Sequence, residues 1–289
     1  MAVKGQVREN NSDFSKYVGF GLMSLEAINP TRQQLNDLLG KEAGEDDKEI
    51  EYVGEDNDGN TRTRLSFWLR EDKSKRLFVH NISIIDKLKE NKDQTKYQYI
   101  NSVGLTTWVD EEENLPEWFT KFIDKEKKVI GKKTYRKASI GEEELAVLMR
   151  AWLGKLNFNH PDTEMTIDKK KLFAGNFKEL KGLIGEEFTS NFVALLGVKT
   201  DKDDASKQYQ QVYSKGFLPP GFMKYINNNN SFPTDYTQRI WNKFVEQVSG
   251  EYGFGSFYKL VPLTEYNRAE DLATSEETKA EVTNENADY

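Results

Sequence analysis

The stretch Arg62-Thr-Arg-Leu-Ser-Phe-Trp-Leu-Arg70 decides how the rest of the chain is read. Leu65, Phe67 and Leu69 fall on one side, while Arg62, Arg64, Ser66, Trp68 and Arg70 fall on the other. That is the period of two of an extended strand. The apolar side must cover a core; the other side carries three cations and an aromatic ring. Asn57-Asp-Gly-Asn60 precedes the strand, and its Asp-Gly pair supplies the positive φ that a hairpin turn requires. A second turn, Glu71 to Lys75, leads to the strand-like Leu77 to Ile85. A lysine-rich connection holding Lys87, Lys89 and Lys92 then leads to a strand pair, Lys96–Asn101 and Leu105–Val109. Upstream, Tyr17 to Ile28 reads as a strand in which Gly19 and Gly21 permit a bend or bulge. A helix follows, opened by Pro30 and Thr31, striped by Leu35, Leu38 and Leu39, and stopped at Gly40. Short strands joined by hairpin-like links predict an α+β chain, mainly antiparallel β, folded as a barrel or strongly curled sheet.

The pattern changes after residue 110. Asp110 to Glu113 is acidic and Leu115-Pro-Glu-Trp-Phe119 follows, in a section that reads as a linker. Its later half is basic: residues 121–137 hold eight Lys or Arg against Asp124 and Glu126, net +6. Gly141 to Leu153 has helical spacing through Leu145, Leu148, Met149 and Trp152, with Glu142 to Glu144 suited to its N-terminal turn. A short helix over 176–184, strands over 188–198 and 209–217, a helix over 236–248 and a last strand over 257–261 complete the expectation. Three regions result: a flexible basic arm over 1–12, a folded body over 13–264, and an acidic tail over 265–289. The tail carries eight acidic residues against Arg268 and Lys279, so that −6 of the total charge of −7 lies in its 25 residues. Low hydrophobicity and like charge predict disorder there.

Composition excludes several chemistries. With no Cys there is no disulfide framework, zinc ribbon or thiol nucleophile. The absence of a signal-like or membrane-spanning apolar run leads us to expect an intracellular protein with no membrane partner. Neither a phosphate-binding GxxxxGK[ST] loop nor a GxGxxG dinucleotide fingerprint occurs, and the two His, His80 and His160, offer no readable triad. Pro161-Asp162 with Asp168-Lys169-Lys170 imitates the layout of some Mg²⁺-dependent nucleases, but so short a pattern is common in a chain that is 31% charged. No enzyme activity, cofactor or metal is expected.

At 12% the aromatics are generous, and their company is informative. Trp68 among Arg62, Arg64 and Arg70 is what a single-stranded nucleic acid asks for, guanidinium groups meeting phosphates while the ring stacks on any base. The other reading sets Trp68 against a second layer and pairs the arginines with Glu51, Glu55 or Asp56. On the next strands Lys96, Tyr97, Tyr99 and Trp108 repeat the combination; alternation allows only Tyr97 with Tyr99, or Lys96 with Gln98, to face outward, and the tyrosines are preferred. The basic section adds Lys132, Lys133, Arg136 and Lys137 around Tyr135, either as a phosphate track or as a solvated surface loop. In the tail, Glu276, Glu277, Glu285, Asp288 and Tyr289 offer acidic groups and an aromatic tip to a protein partner, where a plain solubilising role is the alternative.

Tyr17-Val-Gly to Ile28-Asn-Pro-Thr31, Leu65-Ser-Phe-Trp-Leu69, Tyr99-Ile-Asn-Ser-Val-Gly104 with Thr107-Trp108, Leu115-Pro-Glu-Trp-Phe119 and Gly250-Glu-Tyr-Gly253 together carry a resemblance. The chain resembles the single-stranded DNA-binding proteins of tailed bacteriophages, including those of crAss-like phages, across most of residues 17–262. The resemblance implies an elaborated oligonucleotide/oligosaccharide-binding (OB) barrel with peripheral helices. It also implies sequence-independent coating of DNA during phage replication and recombination in the cytoplasm of the infected host, with self-association on DNA and a tail that contacts replication proteins. The zinc site of some members cannot be present, since Cys is absent. The rival expectation is a non-enzymatic virion structural or cargo protein whose aromatics are all core.

Overall fold

The computed structural model describes residues 19–42, 44, 48–72, 75–124, 126–153, 169–186, 189, 191–200, 208–227, 233–235 and 237–242. The expected arm, tail and last strand, and the nuclease-like Asp162 and Asp168 with His160, lie outside these residues.

The described chain runs β1 (Gly19–Ile28), α1 (Arg32–Leu39), β2 (Val53–Glu55), β3 (Thr61–Glu71), β4 (Leu77–Leu88), β5 (Tyr97–Asn101) and β6 (Thr106–Val109). It continues with α2 (Glu117–Thr120), β7 (Lys121–Ile123), β8 (Val129–Lys132), β9 (Tyr135–Lys137), β10 (Ser139–Ile140) and α3 (Glu142–Leu153). Two short helices, α4 (Lys169–Phe173) and α5 (Lys178–Gly182), precede β11 (Phe192–Thr200), β12 (Gln208–Leu218) and α6 (Phe222–Asn227). The architecture is α+β and every strand pairing in it is antiparallel.

The main sheet has the order β10-β4-β3-β1-β11-β12, with β2 added to β3. It curls into a half-barrel, bringing β12 back alongside β4 although no ladder joins them. Across that seam the His80 ring stands edge-on to Phe217 at 5.1 Å and hydrogen-bonds to the backbone of Val212. Alternation on β3 holds as the sequence reading expects: Leu65, Phe67 and Leu69 are fully buried in the half-barrel core. Each such side chain contributes roughly 1.5–3 kcal/mol by leaving water. The 57–60 turn closes the β2–β3 hairpin, with Gly59 at φ +79° and Asp56 accepting from the Asn60 amide at 2.8 Å. Thr31 caps α1 by accepting from the Gln34 amide while Gln34 accepts in return from that of Thr31, and Gly40 ends the helix at φ +62°.

Helix α3 fills the open side of the half-barrel. Leu145, Leu148, Met149 and Trp152 enter the main core, and Ala146 meets Ile100 and Ala138 of a second layer. That layer is the small sheet β6-β5-β9, with its own core of Tyr99, Val109 and Phe119. The section expected to be a linker is thus structured: β7 and β8 form a separate hairpin, and β9 completes the small sheet. No described helix is long and apolar enough to cross a membrane.

Candidate nucleic-acid interface

The outer face of β3 is largely closed. Trp68 is only 7% exposed, which withdraws its ring from a ligand. Ser66 beside it is buried, donating from its hydroxyl to Asn81 Oδ1 at 2.5 Å and from its amide to Asn29 Oδ1 at 2.6 Å. Arg64 donates to the Glu51 carbonyl at 3.2 Å and lies over the Tyr52 ring at 5.5 Å. Arg70 donates to the Lys75 carbonyl at 2.9 Å and pairs with Glu26 at 3.4 Å. Of that face, Arg62 alone is exposed.

The small sheet sorts the remaining candidates by strand parity. Register pairs Tyr99 with Lys137 and Asn101 with Tyr135, so Tyr97, Tyr99, Tyr135 and Lys137 share one face. Gln98 pairs with Trp108 and Ile100 with Arg136, which places Gln98, Trp108 and Arg136 on the other. The first face is aromatic. Tyr99 is buried under it, edge-on to Tyr135 at 6.5 Å, and Phe119 lies 6.1 Å from Tyr135. Burial pushes the Tyr99 hydroxyl pKa up. Tyr97 and Tyr135 remain half-exposed at the rim.

Over these rims sit ammonium groups. Lys137 Nζ lies 3.7 Å from the centre of the Tyr97 ring, Lys132 Nζ 5.7 Å from that of Tyr135, and Lys133 Nζ 5.4 Å from that of Phe122. Such contacts contribute about 0.5–1 kcal/mol each at exposed sites. Partial burial lowers the Lys133 pKa. Lys96 is exposed at the start of β5. The acidic turn at Asp110 to Glu113 is exposed beyond β6 and bounds the basic surface on that side.

The second face is a joint with α3. Arg136 makes a bidentate pair with the buried Glu142, both contacts at 2.7 Å, and Glu142 also accepts from the Ser139 amide at 2.5 Å. Arg136 is therefore committed to the fold. Lys89 and Lys215 approach Glu143 at 3.0 and 3.2 Å. Burial alone would raise the Glu143 pKa, but the two ammonium groups and a bond from Gln98 hold it down to about 2. Trp108, 38% exposed at the edge of this joint, has Lys89 5.7 Å from its ring centre. It therefore faces away from Tyr97.

The structure thus brings together Tyr97, Lys132, Lys133 and Lys137, with Tyr99 buried beneath the same face, and separates from them Arg62, Arg64, Trp68, Arg70, Lys96, Trp108 and Arg136. Tail residues Glu276, Glu277, Glu285, Asp288 and Tyr289 lie outside the described residues. Among the described residues, the exposed apolar side chains that the sequence reading did not single out include Trp118, Ile123, Val129 and Ile130. The β-branched pair in Lys127-Lys-Val-Ile-Gly-Lys-Lys133 is a strand signal that the surrounding charge obscured. Among the described residues no cluster of His, Asp and Glu could hold a metal ion. Compared with known proteins, the chain matches no family model, no curated protein and no solved structure.

Proposed function

We propose that this protein is a non-enzymatic, sequence-independent single-stranded DNA-binding protein whose half-barrel is an elaborated OB-like barrel. The observation that carries the reading is the pairing of lysine ammonium groups with aromatic rings on one face of the small sheet and the adjoining hairpin. A polyanion draws the ammonium groups of Lys132, Lys133 and Lys137 onto its phosphates, and the half-exposed rings of Tyr97 and Tyr135 accept its bases. Neither contact reads base identity. The setting that suits such a protein is phage DNA replication and recombination in the cytoplasm of an infected bacterium. Molecules would line up along the strand, and the acidic tail would serve as the contact for replication proteins.

A fluorescence titration with single-stranded and duplex oligonucleotides across a salt series tests the proposal. Single strands should bind more tightly than duplex. Engagement of Lys132, Lys133 and Lys137 sets a log–log salt slope of about −2, at about −0.7 per neutralised phosphate. Absence of single-strand binding by the full-length protein at low salt would overturn the reading.

A further inference from the structure

The β7–β8 hairpin is a two-stranded finger with an unusual division of its surface. Pairing sets Lys121 opposite Lys132 and Ile123 opposite Val129. One face therefore has two lysines at its root and two exposed apolar side chains towards its tip. The register slips between Phe122 and Ile123, which leaves Ile130 unpaired in a bulge and 69% exposed. On the reverse face Gly131 has no side chain, and Phe122 lies beneath the Lys133 ammonium. Immediately before β7, on α2, Trp118 is 50% exposed. A free finger of this kind leaves apolar surface in water, at a cost of roughly 25 cal/mol per Å² relative to a covered state.

Charge selects what covers it. A second copy docking finger against finger would bring Lys121, Lys127, Lys128 and Lys132 against their own counterparts, and the whole 121–137 segment is net +6. An anionic partner meets no such repulsion. The finger is also continuous with the lysine–ring surface: the Lys133 amide donates to the Thr120 carbonyl at 2.7 Å, and Lys132 at the end of β8 lies over Tyr135 of β9. A strand following that surface meets the finger next, and its bases supply flat apolar faces to Ile123, Val129 and Ile130.

We infer that the β7–β8 finger is a base-contacting wedge, in which Ile123, Val129 and Ile130 pack against unstacked bases while Lys121 and Lys132 hold the flanking phosphates. This inference rests on the single-strand-binding reading above. The test compares full-length wild type with the double variant Val129→Ser/Ile130→Ser on two ligands of equal length and charge, a thymidine oligonucleotide and its abasic counterpart. Both substitutions are at exposed positions and leave every charge in place. The variant should bind the thymidine strand about fivefold to tenfold more weakly, bind the abasic strand as wild type does, and keep an unchanged salt slope. Equal losses on both ligands, or no loss on either, with wild type binding normally, would overturn the wedge and leave the proposed function standing. Failure of wild type to bind either ligand would overturn the proposed function itself. Vesicles containing anionic lipid are a parallel arm: wild-type binding that the variant loses, with DNA affinity unchanged, would reassign the finger to a membrane surface.

Discussion

Trp68 and Tyr97 show how a single residue's surroundings decide its role. Both are aromatic residues on a β-strand among basic neighbours, yet Trp68 is buried and Tyr97 is half-exposed beneath an ammonium group 3.7 Å from its ring centre. Trp68→Ala should therefore lower stability by about 3–5 kcal/mol, the range for truncating a buried aromatic. The part that stays folded should keep its DNA affinity. Tyr97→Ala should do the reverse, leaving the melting temperature nearly unchanged and weakening binding by about 1–3 kcal/mol, the worth of one stacked base. Thermal melts and oligonucleotide titrations on the two variants check the pair. Alternation alone separated the core side of β3 correctly, because the contrast of Leu65, Phe67 and Leu69 with arginine is strong. It carried no information on whether Trp68 is buried. Arg136 was misleading for a related reason: its partner Glu142 is near in sequence but belongs to the next helix, whose packing onto the small sheet no local pattern announces.

Among the elements, the N-terminal half was legible almost strand by strand. Turn chemistry at Asp58-Gly59, the cap at Thr31 and period-two alternation all act locally, and tertiary packing did not override them. Residues 121–137 were not legible as strands, since three-residue and four-residue strands are too short to show a period and their many lysines imitate a solvated loop. Strand β12 makes a close approach to β11 that only packing exposes. Its register against β11 slips between Ala194 and Leu196, and the Tyr213 ring lies so close to Gly197 that a Cβ there would stand 2.3 Å from the hydroxyl oxygen. Gly197→Ala should cost about 1–3 kcal/mol by overpacking. Adding Tyr213→Ala, which frees that space, should make the Gly197→Ala step nearly neutral. Urea unfolding of the four species in the cycle measures this coupling; independent costs would show that the Tyr213 ring is not what requires glycine at 197.

For the whole molecule, acid is the revealing variable. His80, buried at the seam between β4 and β12, has its pKa lowered to about 4, principally because burial disfavours the imidazolium. A lowered histidine pKa means that the folded state binds fewer protons than the unfolded one. Its contribution is complete above about pH 6.5, where both forms are neutral, and is lost as pH falls towards 4. The loss amounts to about 3 kcal/mol at 1.36 kcal/mol per pH unit. Glu143, held down to about 2 in the α3 joint, adds a second loss that begins only below about pH 4.5. Stability measured by urea unfolding should therefore decline in two stages on acidification, and His80→Gln should flatten the first while leaving the second. If the first stage persists in that variant, the seam histidine is not its source.

The order of the main sheet also has a consequence in time. Strand β1 takes β11 as its neighbour, pairing Gly19 with Leu196, so 177 residues of chain separate the two partners. At a synthesis rate of about 5–20 residues per second, that edge of β1 waits on the order of 10–40 s for its complement to leave the ribosome. During that interval the nascent chain carries an unfilled hydrogen-bonding edge of the kind that recruits neighbouring polypeptides. Heavy expression, with many ribosomes on one message, crowds such edges together, whereas slower production gives each chain time to close on itself.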